Sequence, residues 1–138
     1  METEAQRIDR QRLKRYIKRE QLASIMNNAK WQRLFDALEP IQGMLDFRRK
    51  DVRQDEPDDE NWDCDLYHVL GGWENIEWLD IRAILTIRRG ALLKPDTEDN
   101  THLLTQAVRD AGVPFSRNPD GIRIWGYVRP RSTPHWEE

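Results

Sequence analysis

The sequence predicts an α+β fold, in which a mainly antiparallel sheet of about five strands has helices packed on one face and a helical arm precedes the domain. Three observations predict it. Apolar residues recur at helical spacing in residues 31–38 and 103–111, they alternate with polar residues in 41–48, 62–70 and 122–128, and residues 118–121 read Asn-Pro-Asp-Gly, which is typical of a turn. The predicted order is helix, helix, strand, loop, strand, strand, helix, strand, strand.

The size and composition of the chain fit one domain. It has 138 residues, 38% hydrophobic and 34% charged, which is enough for a single core beneath a highly charged surface. No apolar run approaches the roughly 20 residues of a membrane span, and no apolar block follows the basic N-terminus as in a secretory signal. We therefore expect a cytoplasmic protein in which residues 1–26 form a basic helical arm or extension and residues 27–138 form a single α+β domain.

Charge is divided unevenly between these two parts. Residues 1–26 contain seven Lys or Arg and four Asp or Glu, whereas residues 27–138 contain fifteen and twenty-one. An acidic body suits a basic protein partner, whereas a basic arm suits phosphate groups. The two parts therefore indicate different classes of partner.

The arm, from residue 4 to residue 26, has neither Gly nor Pro and is rich in helix-forming residues. At about 100° per residue, Leu13, Tyr16 and Ile17 fall on one side and Leu22 and Ile25 on another, so the predicted helix has only a small patch with which to dock. Its basic residues either bind nucleic acid or a partner, or simply solvate an exposed face. The candidate nucleic-acid-binding residues are Arg12, Arg15, Lys18 and Arg19.

A helix and a strand come next. Asn27 or Asn28 can cap a helix that Pro40 ends. Its core-facing residues are Trp31, Leu34, Phe35 and Leu38. From residue 41 the hydrophobic period changes to two, which predicts a strand that ends in the charged residues 48–51.

The segment that follows is strongly acidic. Residues 55–65 contain seven Asp or Glu, one Pro and no aliphatic residue, which predicts a loop. Such a loop is either simply solvated or a docking surface for a basic partner, since loops often carry binding residues. The candidate partner-binding acids are Asp55, Glu56, Asp58, Asp59 and Glu60.

Residues 62–87 predict two strands separated by Gly71 and Gly72. In the first strand, alternation places Cys64 and His68 on one face with the apolar residues Trp62, Leu66 and Leu70. In the second, β-branched and aromatic residues favour a strand. Beyond residue 81 the apolar residues also fit a helical spacing, so strand and helix both stay open for residues 82–94.

A helix and a hairpin close the domain. Thr97 or Asn100 can cap a helix whose apolar stripe runs to a terminating Gly112. Strands are then predicted at residues 113–116 and 122–128, joined by the turn at 118–121.

The last strand has a distinctive second face. Arg123, Trp125, Tyr127 and Arg129 lie opposite the aliphatic residues that should face the core. Aromatic residues and arginine are enriched at protein interfaces. This ladder is therefore either an interface or a face that the N-terminal helix or a loop covers.

The sequence gives no convincing catalytic, cofactor or metal site. On a strand, Cys64 and His68 would be roughly 13 Å apart, too far to share an ion, and structural zinc normally needs four nitrogen or sulfur ligands. A nucleophilic Cys64 would need His68 or His102 as its base and an accessible thiol, whereas the predicted strand face buries it. We expect neither a cofactor nor an enzyme.

Two weaker patterns were weighed as chemistry. Gly71 and Gly72 lack the residues that a phosphate-binding loop requires. Asp58, after Pro57, and Asp80 faintly resemble the nuclease pattern in which acids hold Mg²⁺, but the lysine of that pattern is absent. An enzyme that uses the acids Asp63, Asp65 and Asp80 is a further alternative, which requires that the fold bring them together.

Three segments carry a resemblance to a known family: MNNAKWQRLFDAL, WENIEWLDI and GVPFSRNPDGIRIWGY. In these segments, which span about residues 26–130, the chain resembles a family of small bacterial proteins to which no activity is assigned. The resemblance therefore implies a shared domain and no function. The size and acidity of the chain are also similar to those of bacterial immunity or antitoxin-type inhibitors, which is an analogy only.

We therefore expect a non-enzymatic protein-interaction module, of the acidic inhibitor or immunity type, that binds a basic partner. The acidic loop would steer the encounter, and aromatic residues would anchor it. These anchors are Trp73, Trp125 and Tyr127. The alternative is a nucleic-acid-binding regulator that uses the basic arm.

Overall fold

The computed structural model describes residues 1–55, 62–87, 90–91 and 93–137, and within them the chain has the predicted α+β class. The helices are α1 (Glu4–Arg19), α2 (Asn28–Leu38), α3 (Leu66–Val69) and α4 (Thr101–Ala111). The strands are β1 (Ala23–Ser24), β2 (Asp46–Asp51), β3 (Ile76–Arg82), β4 (Ile84–Ile87), β5 (Asp96–Asp99), β6 (Ser116–Asn118), β7 (Gly121–Trp125) and β8 (Tyr127–Val128). All described strand pairs are antiparallel.

The strands are divided among a central sheet and two small ribbons. The central sheet has four strands in the order β2-β3-β7-β6, while β1 pairs with β8 and β4 with β5. At the hairpin of β6 and β7, a Cβ atom on Gly121 would lie 1.9 Å from the carbonyl oxygen of Ile81, so only glycine fits there.

Helices α2 and α4 pack on one face of the central sheet, as predicted. The buried residues of α2 are Trp31, Leu34 and Leu38, and those of α4 include Leu104 and Val108. They share one core with the sheet residues Phe47, Leu79, Ile81, Ile122 and Ile124. The side chain of Asn27 accepts a hydrogen bond from the amide of Lys30, so Asn27 is the cap of α2.

The arm is not one helix to residue 26, because α1 ends at Arg19. Gln21 has a φ of 56°, which turns the chain back so that Ala23 and Ser24 pair with β8. This reversal brings Leu22 to the same side as Leu13, and the two form a small buried cluster with Val52. Partly buried residues packed against the cluster are Tyr16, Ile17 and Tyr127.

The predicted strand from residue 41 begins later than expected. Residues Glu39–Met44 form a 3₁₀ helix, and β2 begins at Asp46. Pro40 lies in the first turn of this 3₁₀ helix, where its missing N–H would have had no helical partner. The α-helix therefore ends before Pro40, as predicted, and the chain continues as a short 3₁₀ helix instead of entering the strand directly.

The predicted strand at residues 62–70 is wrong. Asp63 forms an isolated antiparallel bridge with Phe47, and the chain then enters α3. The carboxylate of Asp65 accepts a hydrogen bond from the amide of Tyr67 and so caps α3, a local interaction that overrides the alternating pattern. As a consequence Cys64 is exposed, not buried among apolar residues as predicted.

The open choice for residues 82–94 is resolved as strand at Arg82 and at Ile84–Ile87, whereas residues 83, 90, 91, 93 and 94 lie in neither a strand nor a helix. Residues Ile84–Ile87 pair with β5, while residues 88, 89 and 92 lie outside the described residues. Strand β5 was not predicted, because Thr97 was one of the two candidate caps of the helix that follows. Asn100 precedes α4, but its side-chain amide donates to the carbonyl of Met44 instead of capping. The predicted stripe also included Leu103, which is exposed.

None of the described helices combines the length and the apolar character that crossing a bilayer requires.

Candidate functional site

The second face of the central sheet, opposite α2 and α4, carries arginine, tryptophan and aspartate in alternate positions. Antiparallel pairing places Arg48 and Arg123 on either side of Asp80, and Trp125 beside Trp78. We call this surface the arginine–tryptophan face. Its residues are Asp46, Arg48, Trp78, Asp80, Arg82, Arg123 and Trp125, together with Trp62, which lies over it.

Asp80 is the buried centre of this face, with only 1% of its surface exposed. Its carboxylate accepts hydrogen bonds from Arg123 Nε at 2.6 Å and Nη2 at 2.9 Å. It also accepts from Asn118 Nδ2 at 3.1 Å and from Arg48 Nη2 at 3.3 Å. A buried carboxylate needs such partners, so Asp80 orders the side chains around it.

The guanidinium groups stack on the indole rings. The guanidinium carbon of Arg123 lies 3.9 Å from the centre of the Trp78 ring. Those of Arg48 and Arg82 lie 4.7 Å and 4.4 Å from the centre of the Trp62 ring. Cation–π contacts of this kind hold the long arginine side chains in fixed positions. The face is therefore organised before any partner arrives.

One end of the second face is covered by the arm. Glu77 lies at a bulge of β3, because Lys50 pairs with Trp78 and the next residue of β2, Asp51, pairs with Ile76. The Glu77 carboxylate accepts from Lys50 Nζ at 3.0 Å and from Arg129 Nη2 at 2.6 Å, and this hydrogen bond raises the pKa of Arg129.

Tyr127 belongs to this covered end and not to the exposed one. It packs against the Leu13 cluster beneath the arm, and its hydroxyl donates to the carbonyl of Glu74 at 2.8 Å. Burial raises the pKa of that hydroxyl. The N-terminal helix therefore covers part of the predicted ladder, since Tyr127 packs against its buried cluster, while Arg123, Trp125 and Arg129 remain partly exposed. An interface role for the ladder stays a prediction.

A small pocket of about 240 Å³ opens in the arginine–tryptophan face. Its wall includes Trp62 and its floor includes Asp80. The side chains of Arg48, Arg82 and Arg123 keep 28%, 31% and 28% of their surface exposed, so the pocket is accessible. Asn118, Pro119 and Asp120 complete its lining.

A larger cleft of about 690 Å³ is lined by Trp62 and Arg48 as well. In it the His68 ring nitrogen Nδ1 lies 2.5 Å from an Asp63 carboxylate oxygen. This hydrogen bond raises the pKa of His68 and lowers the pKa of Asp63. An imidazole held by a carboxylate can transfer protons, but within the described part of the chain no hydrogen bond joins it to Cys64. The cysteine-nucleophile arrangement is not formed.

The three acids that were candidates for an enzyme have separate structural roles. Asp63 holds His68, Asp65 caps α3, and Asp80 is enclosed by arginines. Since Asp80 is inaccessible, the three cannot share an ion. The described residues also contain no group of three or more His, Cys, Asp or Glu arranged to hold a metal.

The predicted partner-binding residues that the structure describes do not form one surface. Asp55 is exposed, while Glu56, Asp58, Asp59 and Glu60 lie outside the described residues. Trp125 is on the arginine–tryptophan face. Trp73 lies elsewhere, in a groove with Phe35 and Tyr67, where its indole N–H donates to Asn28.

The candidate nucleic-acid-binding residues lie on the exposed side of α1, away from the arginine–tryptophan face. Arg12, Arg15, Lys18 and Arg19 are all exposed. Arg19 contacts Glu20 at 3.4 Å and stacks on Tyr16. The other three have no ion pair with a described residue.

Most of the arginine–tryptophan face was not predicted from the sequence. The candidate residues did not include Arg48, Trp62, Trp78 and Arg82, and Asp80 was a candidate only as an acid of an enzyme. A signal existed, because residues 46–50 and 78–82 place charged or aromatic side chains at every second position. Strand register, which the sequence does not reveal, was needed to bring these positions to Arg123 and Trp125.

A family model described as a family of unknown function, DUF6678, matches residues 13–131. The match includes the part of α1 that begins at Leu13, the residue that docks the arm. No curated protein and no solved structure matches the chain.

Proposed function

This chain belongs to the DUF6678 family, whose function is unknown, and we propose that it is a non-enzymatic protein-interaction module that docks a basic protein through its arginine–tryptophan face. An acidic inhibitor of the immunity or antitoxin type would work in this way. The proposal sets the protein in the cytoplasm, where its exposed Cys64 would stay reduced.

The observation that carries the proposal is the partly exposed, pre-ordered group of indole and guanidinium side chains. Arg123 is held by Asp80 and Trp78, and Arg48 and Arg82 are held by Trp62. Rigid aromatic and arginine side chains lose little conformational entropy on binding, which is why they dominate the binding energy of interfaces.

The acidic segment explains why the proposed partner is basic. Residues 55–65 carry seven carboxylates, and the same segment contains Trp62, which stacks on Arg48 and Arg82 of the arginine–tryptophan face. Carboxylates at the rim of an interface accelerate encounter with a basic protein, while the central aromatic residues determine how slowly the complex dissociates.

Site-specific photo-crosslinking in the native host tests the docking surface. A photoreactive residue at Asp120, which is exposed beside the face and leaves Trp125 in place, should capture one basic protein, whereas the same residue at Gln106, on the outer side of α4, should not. Equal capture from both positions, or an acidic protein captured at Asp120, would overturn the proposal.

Charge reversal tests whether the acidic segment accelerates association with the basic partner. Replacing Asp55, Asp58, Asp59 and Glu60 by Lys should slow association with the captured partner and change dissociation little, because rim charges act mainly on encounter. An unchanged association rate at low salt would exclude a steering role for the segment.

A second candidate function is nucleic-acid binding by the arm. It is favoured by Arg12, Arg15 and Lys18, which are exposed and have no ion pair with a described residue. Removal of residues 1–25 would be an ambiguous test, since it also removes Leu13 and Leu22 from a buried cluster.

Charge neutralisation is the sharper test of the arm. Replacing Arg12, Arg15, Lys18 and Arg19 by Gln should abolish a low-salt anisotropy change with a short labelled DNA or RNA, and the wild-type affinity should fall steeply with salt. No binding by the wild-type chain at low salt would dismiss this function.

A further inference from the structure

We propose that the pocket between Arg48, Arg82 and Trp62 binds a carboxylate of the protein partner, the side chain of an Asp or Glu at the centre of the contact. This inference rests on the proposed docking function and adds the chemical group that the face recognises. A partner that is basic overall can present one carboxylate, which would fix its orientation on the face.

The donors in the pocket are incompletely used. Arg123 directs its Nε and Nη2 at Asp80, and Arg82 Nη2 donates to Asp46 at 2.6 Å. Arg48 makes a single hydrogen bond to a described residue, at the long distance of 3.3 Å to Asp80. A guanidinium has five N–H donors, so Arg48 retains most of its capacity.

Two further donors near Trp62 lack a partner. The Nε atoms of Arg48 and Arg82 are buried and have no hydrogen-bond acceptor within the described ranges. Both guanidinium groups stack on Trp62, and both arginines line the pocket with about a third of the side chain exposed. A ligand in the pocket therefore contacts two ordered guanidinium groups whose hydrogen-bond donors are not all used.

The balance of charge favours a carboxylate over a phosphate. Three arginines line the pocket, and Asp46, Asp80 and Asp120 lie within it or against its arginines. Asp80 is inaccessible, but the formal charges of the six side chains cancel, which leaves little attraction for a dianion. A planar monoanion can still form paired hydrogen bonds with a guanidinium fork. The volume of about 240 Å³ accommodates one acidic side chain.

A titration of the isolated, full-length protein with N-acetylglutamate N′-methylamide, whose side chain carries its single carboxylate, tests the site. We expect saturable NMR shifts at the Arg48 Nε–H and the Trp62 indole N–H, with smaller shifts at Arg82. Arg48→Gln should weaken binding at least tenfold, and Arg48→Lys should weaken it by an intermediate amount because an ammonium lacks the planar fork. Arg82→Gln provides a second variant that leaves the contacts of Arg48 in place.

Arg117→Gln is the matched control, since Arg117 also forms a carboxylate pair, with Glu137, but lies outside the pocket. It should bind N-acetylglutamate N′-methylamide within twofold of wild type. Shifts that do not saturate, equal affinity of Arg48→Gln and wild type, or saturation by inorganic phosphate alone would each overturn the proposal. Because this titration needs no partner, its failure leaves the docking function to be judged separately by crosslinking.

Discussion

Arg123 binds both carboxylate oxygens of Asp80, with Nε 2.6 Å from Oδ1 and Nη2 2.9 Å from Oδ2, beneath a sheet face that leaves Asp80 only 1% exposed. The pair lies between β3 and β7, directly opposite each other in the strand register. It therefore couples the order of the arginine–tryptophan face to the pairing of the two central strands.

Removal of the Asp80 carboxylate should destabilise the fold. Asp80→Ala leaves Arg123 and Arg48 without their shared acceptor, and we expect the free energy of unfolding to fall by about 3 kcal/mol. Urea denaturation monitored by tryptophan fluorescence measures it. Asp120→Ala, at the exposed rim of the pocket, should change stability by no more than about 0.5 kcal/mol. Equal effects of the two substitutions would show that Asp80 does not organise the face.

The arm should contribute to the stability of the domain through Leu13. This side chain is 3% exposed and packs with Leu22 and Val52. Leu13→Ala should lower the free energy of unfolding by about 2 kcal/mol, the low end of the range for buried leucines because the cluster is small. Ile8→Ala, at an exposed position of the same helix, is the control and should be nearly neutral. Indistinguishable melting curves for Leu13→Ala and wild type would mean that α1 does not dock.

His68 should titrate above the ordinary histidine value of about 6.5. The hydrogen bond that His68 donates to the Asp63 carboxylate raises the pKa of His68, so Asp63→Asn should return it toward that value in an NMR titration. A His68 pKa that is the same in both proteins would disprove the contact.

The pair of His68 and Asp63 should make the stability of the fold depend on pH. Because the pKa of His68 is raised in the folded state, the stability that His68 contributes is lost as pH rises through its folded-state pKa. Because the pKa of Asp63 is lowered, the stability that Asp63 contributes is lost as pH falls through its folded-state pKa. The pair should therefore help most between about pH 4 and pH 6.5. Asp63→Asn should remove this pH dependence, and an unaltered pH profile would contradict the assignment.

Strong periodicity allowed the core to be predicted from the sequence. The helix of Trp31, Leu34 and Leu38 and the strand of Ile122 and Ile124 lie where the hydrophobic pattern placed them. In these elements the hydrophobic pattern, the secondary-structure propensities of the residues and the capping or turn residues at the ends all indicate the same structure.

The errors arose where short-range hydrogen bonds compete with a hydrophobic pattern. Alternation from Trp62 to Leu70 predicted a strand, but capping by Asp65 begins a helix instead. Leu22 was placed on the wrong side of the arm because a residue with positive φ, Gln21, reverses the chain, and positive φ is uncommon outside glycine.

The candidate site was harder to predict than the core. The pattern within each strand does not show which residues of another strand lie beside it. Arg48, Asp80 and Arg123 are separated by 32 and 43 residues in the sequence. Antiparallel register brings them side by side, and register depends on the whole sheet. Trp125 was identified because the closing strand shows the arginine–aromatic alternation within a single run.

The affinity of Trp125→Ala for the protein captured by crosslinking tests the docking face most directly. Trp125 donates its indole N–H to Ser116 and is partly exposed, so truncation removes a rigid anchor and leaves the sheet core intact. We predict at least tenfold weaker binding by calorimetry, about 1.4 kcal/mol, with Gln106→Ala unchanged. If both variants bind as tightly as wild type, the arginine–tryptophan face is not the docking surface.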